Sequence, residues 1–255
     1  PDGNPLGGDE GTITVSDGST FSLGAGQHVT FEDLPYGTVF EVTEEPKAGW
    51  TQDSEGTSGT SGTLTDEPAT AAFANTYAAT GSATLEAVKT LDGQVPEEGR
   101  FSFGLRDATE GSATYGQVLQ TVENDASGLV AFSPVSYSTA DAGSTFTYQI
   151  FEIDTGEDGI RYDETIVTAT VKVTDNGDGT LATEIAYSDP AGHDPTGNTF
   201  ANRMERVELT VSKTVTNDDL SNLAESTQNA MFEFTISLRD SAGAPLTDVA
   251  GTAYG

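Results

Sequence analysis

The chain has 255 residues, 35% of them hydrophobic with 12 Phe and 8 Tyr, which suffices for about two β-rich domain cores and not for a membrane span. Its 41 acidic and 10 basic residues leave a net charge of −31, a surface that repels phosphate backbones and anionic lipids and so disfavours nucleic acid and membrane insertion as partners. With no cysteine, disulfides are excluded as the staples of a secreted domain.

In chain order the predicted elements are strands separated by Gly, Asp, Asn and Ser clusters at sandwich spacing. The first are 11–15 (GTITV), 27–34 (QHVTFEDL) and 38–45 (TVFEVTEE). In the third, the period of two places Phe40, Val42 and Glu44 on one face and turns Glu41 and Glu45 outward. Trp50 follows in a loop, where packing over the end of a sandwich is the usual role and ligand contact, with the Tyr36 region, the alternative. The segment 57–63 (TSGTSGT) reads as a hairpin tip, and 70–77 (TAAFANTY) sets Asn75 between Phe73 and Tyr77 on an apolar face. A boundary is expected at 78–81 (AATG).

Next comes 85–91 (LEAVKTL), in which Leu85, Ala87 and Leu91 share their face with Lys89. Strands are then expected at 101–107, 129–137, 146–152, 164–174 and 180–187; in 146–152 one face carries Phe146, Tyr148, Ile150 and Glu152. Between the last two, 174–180 (TDNGDGT) has acidic spacing reminiscent of a calcium loop, but Asn-Gly and Asp-Gly between strands are ordinary hairpin chemistry. The segment 199–204 (TFANRM) places Asn202 beside Phe200, and a second boundary falls at 203–206 (RMER). In 207–215 (VELTVSKTV), Leu209, Val211 and Val215 share a face with Lys213, opposite a polar face of Thr and Ser. Residues 217–227 have helix-like spacing or form a polar loop, and 231–240 (MFEFTISLRD) is the last predicted strand. The two histidines, His28 and His193, fall in different predicted domains, which disfavours a zinc site.

A lysine aimed into an apolar core needs a partner, because an unpaired buried ammonium is very costly. The parity argument supplies an inward carboxylate for each, Glu152 for Lys89 and Glu44 for Lys213, and an asparagine, Asn202 and Asn75. For any one residue a plain buried ion pair or an edge-capping asparagine is the simpler reading. Two complete sets with the same parity favour a shared chemistry.

The ordered set of lysine strand, aromatic-x-aliphatic-x-Glu strand and terminal Phe-x-Asn strand resembles the isopeptide-forming domains of Gram-positive pilins and wall-anchored adhesins. Residues 80–205 resemble the FctA-type streptococcal pilin domain, and 206–255 and 1–79 resemble the two parts of a Cna protein B-type domain. The resemblance implies an all-β fold of tandem immunoglobulin-like sandwiches with intramolecular Lys–Asn isopeptide bonds. It implies cross-links Lys89–Asn202 and Lys213–Asn75, with Glu152 and Glu44 as the promoting acids. No cofactor or metal is implied, and no enzyme beyond one bond per domain. The function implied is a structural segment of a surface pilus, fibre or adhesin stalk, extracellular and wall-anchored, with a host protein or glycan as the alternative partner.

The first pair is 113 residues apart (202 − 89), whereas Asn75 precedes Lys213; joining Gly255 to Pro1 would make that separation 117 (255 − 213 + 75). Local text supports the join, since FEFTISLRD followed by GTAYG parallels FSFGLRD followed by SATYG. Three arrangements fit: one period of a tandem array, identical chains complementing one another head to tail, or plain truncation leaving two unpaired half sandwiches. The absence of a basic, apolar leader and of a hydrophobic tail is what an internal or mature segment would show.

Overall fold

The computed structural model describes residues 13–188, 197–214, 224–225, 230–240 and 243–247. Its contacts divide the chain into two units, Pro1–Arg206 and Val207–Gly255. The helix-like stretch at 217–223, His193 and the terminal GTAYG lie outside the described residues.

The core of the first unit is a β-sandwich. Strands β1 (Val39–Glu41), β2 (Trp50–Gln52), β3 (Ser61–Thr63) and β4 (Asn75–Tyr77) precede it. The sandwich comprises β5 (Thr80–Ala83), β6 (Glu86–Leu91), β7 (Ser102–Asp107), β8 (Val118–Glu123), β9 (Leu129–Ala131), β10 (Val135–Ser138), β11 (Thr145–Ile153), β12 (Ile160–Arg161), β13 (Ile166–Asp175), β14 (Leu181–Ser188) and β15 (Thr199–Met204). One sheet has the order β14-β13-β11-β7-β8, the other β12-β15-β6-β9, and β10 pairs with β5. Among the described residues no helix is long and apolar enough to cross a membrane.

Alternation explains the core. On β13, Val167, Ala169, Val171 and Val173 are all buried and the residues between them are not. They meet Phe103 and Leu105 of β7, Tyr148 and Ile150 of β11, and, from the opposite sheet, Ala87, Leu91 and Phe200. Each large apolar side chain so enclosed contributes about 1.5–3 kcal/mol of transfer free energy.

The first and last strands of this sandwich, β6 and β15, lie side by side and parallel, with Lys89 opposite Phe200 and Leu91 opposite Asn202. The chain therefore arrives at one end of the domain and leaves at the other. At the arriving end, Tyr77 donates its hydroxyl to Asp175 and accepts from the Gly179 N–H, both at the β13–β14 hairpin. Gly49 and Gly179, both at positive φ, pack backbone to backbone there; a Cβ on Gly49 would stand 2.5 Å from the Gly179 nitrogen. At the leaving end, Glu205 donates its N–H to the Gly159 carbonyl and Arg206 pairs with Asp92.

Several strand expectations differ from what is observed. Among the described residues of 11–15, 27–34 and 231–240 there is no strand, although their apolar side chains alternate; a strand exists only where a neighbour supplies its ladder, and none is adjacent. In the second unit the pairing among the described residues is the single Arg239–Pro245 bridge. The run 129–137 is two strands in different sheets, broken at Pro134, which has no N–H to donate. Trp50 belongs to β2 rather than to a loop, and the last three residues of the expected hairpin tip at 57–63 are β3, paired with β1.

One buried polar residue escaped the periodicity argument. Asn124 accepts the Phe101 N–H at 2.9 Å and donates to the Glu97 and Asp125 carbonyls at 2.8 and 3.0 Å, so it ties the β6–β7 loop to the end of β8. Asn124→Ala strands these groups; the expected cost is about 1–3 kcal/mol, read as a melting temperature several degrees lower with the β spectrum retained.

Candidate functional site

Lys89 and Asn202 come from the adjacent parallel strands β6 and β15, and Glu152 reaches them across the sandwich from β11. All three side chains are removed from water: Lys89 is 0% exposed, Asn202 1% and the Glu152 side chain 1%. Glu152 joins the other two, with Lys89 Nζ 2.8 Å from its Oε2 and Asn202 Nδ2 donating to its Oε1 at 2.8 Å. Two aromatic rings flank the amine, and a third backs one of them. Nζ lies 4.8 Å from the Phe101 centroid and 5.9 Å from that of Phe103, which packs edge-on against Phe200 at 5.2 Å.

A fourth group had no signal in strand parity, because it is a backbone N–H in the loop between β12 and β13. The Asp163 N–H donates to Asn202 Oδ1 at 2.8 Å. Since an N–H only donates, it fixes the carboxamide with oxygen toward Asp163 and nitrogen toward Glu152.

Burial lowers the pKa of Lys89, although contact with Glu152 opposes the shift. Burial raises that of Glu152, against the pull of Lys89 and Asn202. With both side chains fully enclosed, desolvation prevails, and both directions favour passage of a proton from amine to carboxylate along the 2.8 Å contact. The neutral amine is a nucleophile; the protonated acid sits beside the nitrogen that would leave; the Asp163 N–H faces the oxygen on which charge would develop.

The second predicted set is only partly assembled. Glu44 Oε1 accepts from Asn75 Nδ2 at 2.7 Å, and Gln52 Nε2 donates to Glu44 Oε2 at 3.3 Å. Contrary to the inward orientation inferred from parity, Glu44 and Asn75 are both exposed, because β1 ends at Glu41 and no strand among the described residues covers the pair. Lys213 belongs to the other unit, where it donates to the Thr214 carbonyl at 2.7 Å and lies 4.5 Å over the Phe232 ring.

The remaining candidates have local structural roles. In the 174–180 segment, Asp175 accepts the Gly177 N–H and Asp178 the Thr180 N–H and hydroxyl, closing the β13–β14 hairpin. Trp50 stacks on Tyr77 at 5.1 Å with Lys47 above it, next to the contact with that hairpin.

Residues 85–205 match the FctA family model, described as a Spy0128-like isopeptide containing domain. Residues 4–77 match a domain of unknown function, DUF7601, rather than a Cna B-type model. No curated protein matches the chain. Among solved structures, the major pilin T-13 of Streptococcus pyogenes is 17% identical, with 50% of this chain and 53% of that one covered at a TM-score of 0.31. The major pilin T3.2 of the same organism is 14% identical, with 49% and 54% covered at a TM-score of 0.33. The chain thus spans about half the length of the solved pilins it matches.

Asp163 also braces the site through its carboxylate, which accepts the Ala201 N–H at 2.7 Å and the Thr165 N–H at 3.0 Å. Burial works against its charge, but these donors outweigh it and hold the pKa below the ordinary value. The stabilisation is therefore complete above about pH 4 and is lost as pH falls through the lowered pKa. Asp163→Asn should cost about 1–2 kcal/mol at pH 7, and the gap to the parent should close on acidification in denaturant melts taken from pH 7 to pH 2.

Proposed function

From a chain whose residues 85–205 form a domain of the FctA, Spy0128-like isopeptide-containing family, we propose a structural role: a segment of a Gram-positive surface pilus or fibre, locked by a bond between Lys89 and Asn202. The observation that carries the reading is Glu152 bridging amine and carboxamide at 2.8 Å each inside a dry aromatic cage. Lys89 passes a proton to Glu152, and Nζ attacks Cγ of Asn202. The Asp163 N–H holds the oxygen of the tetrahedral intermediate. Glu152 returns a proton to Nδ2, the Cγ–Nδ2 bond breaks, and ammonia leaves, carrying off as ammonium the surplus proton of Nζ, which keeps one hydrogen as a secondary amide. Glu152 ends in its starting state, so the domain performs a single reaction on itself and does not turn over.

The placement of this bond suits a load-bearing part. It joins the first and last strands of a sandwich whose chain arrives at one end and leaves at the other, so tension passes from β6 to β15 through a covalent link. The 113 residues between Lys89 and Asn202 (202 − 89) then need not unfold under load. By analogy with a disulfide closing a loop of this length, the restriction of the unfolded chain contributes about 4–5 kcal/mol.

In this reading the acidic, cysteine-free chain works outside the cell, on a wall-anchored fibre. Neighbouring copies associate head to tail, with residues 206–255 and 1–79 as complementary parts of a second, Cna B-like domain.

Intact mass tests the bond directly. The parent should be lighter than its sequence mass by one ammonia at this site, while Lys89→Ala, Glu152→Ala and Asn202→Ala should each lack that loss and melt and proteolyse more readily. A central domain at its full sequence mass, with Lys89 and Asn202 peptides recovered separately, overturns the proposal.

A further inference from the structure

The Asp163 N–H that meets Asn202 Oδ1 belongs to the peptide unit between Tyr162 and Asp163. A peptide unit is planar, so its N–H points where the residues on either side of it are held. Residues 154–165 carry this unit from the end of β11, the strand of Glu152, to the start of β13. Their only ladder is the two residues of β12 against β15. Side chains must fix the rest of the segment, since connections of this kind are otherwise the mobile parts of a fold.

The Asp163 side of the peptide is held by its carboxylate, which takes the N–H of Ala201, the residue before Asn202. The Tyr162 side is held by the tyrosine itself. Its ring packs edge-on against Phe101, with centroids 5.9 Å apart at 85°, and its hydroxyl lies 2.8 Å from that of Thr155. Phe101 is a fixed anchor: it is fully buried and donates its N–H to the Asn124 side chain. Arg100, next to it, pairs with Glu157 of the same segment at 2.6 Å, but both side chains are partly exposed and such a pair contributes little by itself. The Tyr162 ring is therefore the main hold on this side.

Phe101 is also the ring that lies 4.8 Å from Lys89 Nζ. One tyrosine thus rests its ring on the wall of the reaction centre while the peptide that follows it reaches the carboxamide. Packing against the core accounts for the ring; it does not account for the N–H donor standing one peptide away.

We propose that Tyr162 is a positioning residue for the Lys89–Asn202 reaction, holding the Tyr162–Asp163 peptide so that its N–H meets the Asn202 oxygen as negative charge develops there. This role rests on the reading given above for the central domain. Tyr162 moves no proton and acts through the Asp163 N–H alone, so the exchange between Lys89 and Glu152 does not depend on it. Misplacing such a donor by about 1 Å slows a reaction by about 100-fold.

Full chain recovered unreacted in denaturant and refolded by dilution should lose one ammonia with time, followed by intact mass. Tyr162→Phe, which keeps the ring on Phe101, should react within a few-fold of the parent. Tyr162→Ala should regain the β spectrum yet lose ammonia about 100-fold more slowly. Tyr162→Leu, which fills the space over Phe101, serves the same comparison if the alanine chain folds poorly. In the slow variants the pH dependence of the rate should keep the parent's shape and fall only in height. A parent that never loses ammonia overturns both the central reading and the role of Tyr162. A parent that reacts, beside an alanine or leucine variant of equal speed, overturns the role of Tyr162 alone. So does a slow variant whose pH dependence moves, because the tyrosine would then act on the desolvation of the amine and not on the N–H.

Discussion

The structure depends on keeping one amine dry. Lys89 is wholly buried, against the rings of Phe101 and Phe103 and 2.8 Å from Glu152. In water an ammonium and a carboxylate are the stable pair; in this core desolvation pulls both toward neutrality, the direction that the proposed attack by the amine requires. The apolar alternation of β6, β7 and β15 is thus both the core of the domain and the condition for its chemistry.

Topology gives that chemistry its mechanical meaning. Because β6 and β15 are parallel neighbours, the two ends of the domain face away from each other, and force applied to them shears the pair that Lys89 and Asn202 would tie. A bond anywhere else in the sandwich would leave part of the load path dependent on hydrogen bonds.

The two sites differ in one physical variable. Their acid and carboxamide stand at nearly the same distance, but the central pair is enclosed between sheets and the other is open to solvent. Exposure leaves the second pair in contact with solvent, without the desolvation that acts on Lys89 and Glu152.

The sequence by itself determined the all-β class, and the period of two was enough to turn Lys89, Glu152 and Asn202 inward, since in a strand parity alone decides which side of a sheet a side chain takes. It also marked Glu44, Asn75 and Lys213 as a related set. Only the tertiary structure decided which carboxylate meets which lysine, because that pairing crosses from one sheet to the other and is set by how the layers stack. The Asp163 N–H and the triple bonding of Asn124 were likewise invisible, belonging to loop backbone and loop capping that carry no periodicity. And parity could not tell that Glu44 and Asn75 would stand in water or that 231–240 would form no strand, since a side chain's face is local while its burial depends on what packs against it.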